Sequence, residues 1–357
     1  MSSEEFTPES WSPTLQFILE CADRTLRGFT SPIAKPEFSG SSEGWAEVLQ
    51  LAETLEVLPA VCQAVGLAPW KEEIPTQVLF GCLEKFKRAR LMQAVLDEEL
   101  LQVLAILQHH KIPMVLLGAV EWKKRYAFKS LGQTPQPLAL MIPGQDLTFA
   151  VRALTERGYL RAAKQAPGLP FVSLSQSKEK TNLRIHSSLI SGKASGLDET
   201  FWTEARGGLI PGLPLYCQTI STEESFLFRI HEEAVEKQLS SLSFLYECAE
   251  LLKKASLDWD RFCHRAACER LSTVSWVTFK ILNSLEPALI PASVLLKLES
   301  QTPLLRRRAL YPLANFSFWL KARVPGANFP LMTHDGALAG FRQRLRNRGS
   351  SLKLQDL

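Results

Sequence analysis

The sequence predicts an α+β protein: a small mixed sheet with helical regions before and after it in the chain. Three observations carry that expectation. Apolar residues recur at helical spacing through the first third. Between 111 and 220, short apolar runs bounded by Gly, Pro and polar turns alternate with amphipathic stretches, as strands and helices of one mixed unit do. Helical spacing then returns at Ser221. The expected organisation is a helical region at 1–110, an α/β core at 111–220, a second helical region at 221–325 and a basic tail at 326–357.

In the first region "SPTLQFILECADRTL" has the spacing of one helix, and "RGFTSPIAKPEFSGSSEG" at 27–44 reads as a loop from its Gly, Ser and Pro. Val48, Leu51, Leu55 and Leu58 give helical spacing from Trp45 to Leu67, with Pro59 expected to split it. A long helix is expected over 75–110, its apolar side running from Leu79 and Leu83 to Leu104 and Leu107. "KIPMVLL" (111–117) reads as a buried strand ended by Gly118, and "AVEWKKRYAF" as a helix packing through Val120, Trp122 and Tyr126. "PLALMI" (137–142) is a second strand. "PGQD" is a turn, with Asp146 expected to cap the next helix by accepting from its free amides. Leu147, Val151 and Leu154 mark that helix, and Gly158 its left-handed stop. "FVSLS" (171–175) and "NLRIH" (182–186) are expected strands joined by "QSKEKT", and "LPLYCQTI" (213–220) a fifth. Ser221 and Glu224 form an S-x-x-E capping box. Helices are expected at about 222–237, 239–255, 259–269 and 272–285, with more helix over 290–325.

Composition narrows the class. At 46% hydrophobic and 22% charged residues, the 357-residue chain is that of a globular protein. No run approaches the ~18 apolar residues of a membrane span, and the opening "MSSEEFTPES" is too acidic for a secretory signal. The seven cysteines are scattered with no C-x-x-C pair, which points to reduced thiols and a cytoplasmic protein. Cys263, His264 and Cys268 fit no zinc spacing, and His231-Glu232 lacks the second His of H-E-x-x-H because Val235 stands there. There is no P-loop or G-x-G-x-x-G, and the G-x-S-x-G string at Gly40–Gly44 lies in the 27–44 loop with no apolar strand before it, so it is no nucleophile elbow; hydrolase and dinucleotide chemistry have no support. The net charge of +4 is uneven: residues 302–357 carry ten basic residues against Asp335 and Asp356, a balance of +8 that leaves −4 for the rest.

Beyond composition, several segments share a frame. "KIPMVLLGAVEWKKRY", "PLALMIPGQDLTFAVRALTERGY", "LRIHSSL", "ESFLFRIHEEA" and "LSFLYECAELLKKASLDWDRF" occur in the order and register of a known group. The chain resembles the uncharacterised bacterial nucleotidyltransferase-like family, distantly related to the polymerase-beta type, over roughly 45–285. Gly118, Tyr126, Gly158-Tyr159, His186, His231 and Asp258-Trp259 fall in place. The resemblance implies a nucleotidyltransferase fold, with a Lys before the glycine, an Arg in the loop, two strand aspartates and a third acidic residue two positions before the His. Here those positions hold Leu117, Gln133, Pro137, Ala139 and Arg184.

The departures bear on chemistry. Nucleotidyl transfer uses carboxylates to hold Mg²⁺ between triphosphate and attacking oxygen. Aspartates at i and i+2 on a strand share a face and can both ligate. Pro137 and Ala139 cannot ligate, and Arg184 brings positive charge to the site. The expectation is a fold that has lost metal-dependent transfer and serves as a binding or scaffold component, with no catalytic residues and no cofactor. One alternative is an active Mg²⁺ enzyme with relocated or misregistered ligands, for which Glu121, Asp146 and Glu179 are the available acids. A metal-free anion site is the sharper reading of what remains: Gly118, Lys123, Lys124, Arg184 and His186 could take a phosphate-containing ligand, Arg184 through its bidentate fork. A further alternative is nucleic-acid or other anionic-partner binding through Arg342, Arg344, Arg346 and Arg348. A protein partner remains open alongside these.

Overall fold

A computed structural model of the chain describes residues 12–27, 32–126, 136–162, 171–175, 182–188, 217–236 and 241–304, with isolated positions between and after them. It has the expected α+β architecture. Helices α1 (Pro13–Arg27), α2 (Ser42–Thr54), α3 (Leu58–Leu67) and α4 (Thr76–His109) precede the sheet. Ser41 caps α2 by accepting from Gly44 N at 3.2 Å, and Pro59 opens α3 near its first position, where the missing amide costs nothing. The break at 55–57 is therefore where the proline requires it.

The sheet unit runs β1 (Met114–Leu117), α5 (Gly118–Tyr126), β2 (Leu138–Met141), α6 (Leu147–Glu156), β3 (Leu160–Arg161), β4 (Phe171–Ser175), β5 (Leu183–His186) and β6 (Cys217–Gln218). Spatial order is β3-β4-β5-β2-β1-β6. β1 runs antiparallel to β2 and parallel to β6, and β2 runs parallel to β5. Gly158 holds φ +92° just after α6 and turns the chain into β3. β3, an exposed two-residue edge, has no counterpart in the expectations, because two residues carry no readable alternation. Asp146 does stand at the start of α6, but its side chain makes no capping hydrogen bond, which corrects the expected cap. A short 3₁₀ turn, Gly144–Asp146, with Asp146 N donating to Pro143 O, enters the helix instead.

After the sheet come α7 (Thr222–Glu236), α8 (Leu242–Lys254), α9 (Trp259–Cys268), α10 (Ser272–Leu285) and α11 (Ala292–Gln301). Ser221 Oγ accepts from Glu224 N at 3.2 Å, half of the expected capping box, and the Glu224 carboxylate pairs with Arg265 at 2.7 Å. The remainder of the expected 290–325 helix, the turn at 176–181 and the basic tail lie outside the described residues.

The buried side chains form two large cores, and these do not follow chain order. Helices α1–α3 and the start of α4 share one core with α7–α11: Phe17, Trp45 and Val61 belong to the same cluster as Phe226, Phe244 and Trp276. Leu242 N donates to Leu55 O at 3.0 Å across that junction. The second core lies under one sheet face, where Met114, Leu116, Leu138, Leu140, Leu183 and Ile185 meet α6 and the Leu96–Leu107 half of α4. The opposite face carries Val115, Leu117, Ala139 and Met141, which pack against Phe228 of α7. Strand alternation makes this division, since residues two apart point the same way. No helix among the described residues is long and apolar enough to cross a membrane.

Candidate functional site

The sheet face toward α7 is where the chemistry of the frame should lie. Ala139 pairs in register with Leu117 on one side and Arg184 on the other, so two of the three positions where the resemblance implies acidic residues are direct cross-strand neighbours. Pro137, two residues before Ala139, belongs to the same face by alternation. Ala139 is fully buried.

Gly118 closes β1 and opens α5 with φ +76°, a left-handed conformation that favours glycine. A Cβ built there would lie 3.5 Å from Glu232 Oε2 and 3.7 Å from Phe228. The Glu232 carboxylate of α7 thus sits over this turn. It accepts from Arg184 Nη1 at 3.5 Å and from Arg229 Nη1 at 2.6 Å. Arg229 also donates to Glu247 of α8 at 2.9 Å and lies over the rings of Trp122 (5.7 Å) and Phe244 (5.2 Å). Burial works against the Arg229 charge, yet Glu247 and Glu232 hold its pKa above the ordinary value. Arg184 in turn lies 5.2 Å over the Phe171 ring.

His186 lies beyond Arg184 on the same face. Its ring packs between Phe171 (centroids 5.0 Å) and Phe228 (5.2 Å). It is 5% exposed, and neither ring nitrogen has a hydrogen-bond partner. Burial, with the positive charge of Arg184 and the nearby His231, pushes its pKa down to about 3, so the ring is neutral at ordinary pH. His231, one turn along α7 from Phe228, has an unpartnered Nδ1 and is pushed down to about 4 by loss of water, against the pull of Glu232.

The structure therefore brings Gly118, Arg184 and His186 to one face. It does not bring Lys123 and Lys124 with them. Lys123 Nζ donates to Gln93 at 3.4 Å and Lys124 pairs with Asp97 at 2.8 Å, both on α4. Helix α5 packs against β1, β2, α7 and α8, and the two lysines leave it on another side, toward α4. Glu121 turns the other way and is buried: Ser225 donates to it, as does Arg125 at 3.2 Å. Burial raises its pKa, offset in part by those two donors. It ties α5 to α7 and is not aimed at the Ala139–Arg184 pair. Arg229 is absent from the sequence expectations, and His231 and Glu232 enter them only as a failed zinc motif and a frame position, not as residues of this site. Their signal was present in "SFLFRIHEEAV", where charges interrupt an otherwise apolar helix face.

Magnesium, which nucleotidyl transfer requires, takes oxygen ligands in octahedral array. At the three frame positions the chain offers a proline ring, a methyl group and a guanidinium. The carboxylate that lies against this guanidinium, Glu232, is already shared by two arginines. The side chains at these three positions do not fit the ion. The sequence model of the family described as "Uncharacterised nucleotidyltransferase" matches residues 41–286. No curated protein and no solved structure matches the chain.

Proposed function

The chain belongs to the uncharacterised nucleotidyltransferase family, and from that premise we propose that it uses the nucleotidyltransferase fold for binding, as a ligand-holding or scaffold component, without metal-dependent transfer. The observation that carries this reading is the cross-strand pair Ala139–Arg184, with Arg184 engaged by Glu232. Transfer needs a divalent ion to neutralise the triphosphate and align attacker and leaving group. A guanidinium neutralises charge but has no lone pair to offer a metal, and the methyl of Ala139 has none either.

The test is a thermal-shift screen of nucleoside triphosphates with and without Mg²⁺, run beside an assay for pyrophosphate release. The proposal expects no Mg²⁺-dependent shift and no release. Metal-dependent stabilisation together with release would overturn it and favour an enzyme with relocated ligands. A shift that needs no metal would place a phosphate beside Arg184 and the unpartnered His186 ring. Absence of any shift would leave a protein-binding role.

A further inference from the structure

Helix α4 belongs to both cores and is uncovered between them. Its buried residues are Cys82 at one end and Leu96 onward at the other, with none from 83 to 95. On its outer side Phe80, Leu91 and Leu101 are 68%, 67% and 48% exposed. With the exposed Lys87 and Glu98 they recur at spacings of seven, four, seven and three residues. At 100° per residue these five share a stripe about 80° wide and about 32 Å long. That is the repeat of a helix that packs against another helix.

Charge along the same helix is divided in two. Residues 84–90, "EKFKRAR", carry four basic groups against one acid; 91–96, "LMQAVL", carry none; 97–99, "DEE", carry three acids. Asp97 is already held by Lys124 and Glu99 is buried, so Glu98 is the carboxylate presented outward.

We propose that this face of α4 is a two-fold interface with a second copy of the chain, the two helices running antiparallel. An axis at Met92–Gln93 sets Lys87 opposite Glu98 of the second copy, twice by symmetry, and Leu91 opposite Ala94. Each basic block then meets an acidic block, and the uncharged middle meets itself. A parallel pairing would set like charge against like. A partner of single sign would be attracted by one half and repelled by the other. Self-complementarity of this kind is what a closed two-fold contact demands.

The experiment measures the mass of the full chain in solution by light scattering after size exclusion. The wild type is expected at twice its 40.0 kDa mass. Lys87→Glu and Glu98→Lys each create two like-charge contacts and are expected to weaken the dimer about tenfold or more. Mixing the two variants restores opposite charge at both contacts, so a one-to-one heterodimer should form. Leu91→Asp should be monomeric. All three side chains are exposed, and circular dichroism confirms that the variants fold. A wild-type monomer at the highest soluble concentration would overturn the proposal, including one that binds a different protein through this face. So would a dimer indifferent to both charge reversals, since its interface would lie elsewhere.

Discussion

His186→Phe tests how the sheet face tolerates its histidine. Phe suits the slot between Phe171 and Phe228 and removes two ring nitrogens that have no partner. The informative quantity is the dependence of stability on pH. The native ring titrates near 3, while the unfolded chain takes up its proton near 6.5. Below 6.5 the unfolded state binds more protons than the native state, so stability is full above that value and is lost as pH falls toward 3. At ~1.36 kcal/mol per pH unit, acidification from about pH 7 to about pH 5 should cost the wild type about 2 kcal/mol through this residue alone. Urea unfolding followed by tryptophan fluorescence at both pH values measures the loss. The variant should lose about 2 kcal/mol less than the wild type, because His231 and the other titrating groups are common to both. Any overpacking by Phe shifts absolute stability and leaves the pH difference intact. Equal acid losses in the two proteins would refute the view that His186 is held neutral in the fold.

Four other outcomes are expected. Arg229→Met removes the cation shared by Glu232 and Glu247 inside the α7–α8 contact and should cost about 3–5 kcal/mol; a urea-derived loss under ~1 kcal/mol would show that those carboxylates find other compensation. Gly118→Ala should cost about 1–2 kcal/mol through its left-handed φ, since the nearest atom to the new Cβ is at an ordinary 3.5 Å. Gly44→Ala in α2 should also destabilise, by contact instead, because its Cβ would meet Phe38 Cβ at 2.8 Å; equilibrium unfolding separates the two if Phe38→Gly, which removes that Cβ, makes Gly44→Ala less costly and leaves the cost of Gly118→Ala unchanged. The double substitution Pro137→Asp with Ala139→Asp should yield a folded protein that still releases no pyrophosphate in Mg²⁺ while Arg184 remains; measurable release would show that the site has changed less than its residues indicate.

Much of the architecture was legible because it is local. Pro59 splits a helix, Gly158 stops one and Ser221 starts one for reasons confined to a few neighbouring residues. The strand "PLALMI" was legible from its apolar run, and the loss of acidic positions from its register in the family frame. What was not legible depends on partners far apart in the chain. Arg184 and Glu232 are 48 residues apart, and nothing in either segment names the other. Lys123 and Lys124 read as neighbours of the site from their place after Gly118, yet their rotation about the α5 axis points them at α4. Asp146 has the right type and place for a cap, but the 3₁₀ turn before it supplies the entry to α6 and its carboxylate goes unused there. The separation of the two helical regions in sequence also gave no hint that they share one interior.

That shared interior orders events in time. Helices α1–α3 bury their apolar faces against α7–α11, whose first core residue, Phe226, follows Cys82 by roughly 140 positions. At about 5–20 residues per second, the ribosome exposes the first helices roughly 7–30 s before their partners exist. The sheet and the second half of α4, lying wholly between, can settle first. The N-terminal helices must wait with uncovered hydrophobic surface, and folding of the protein as a whole is gated by the last third of its synthesis.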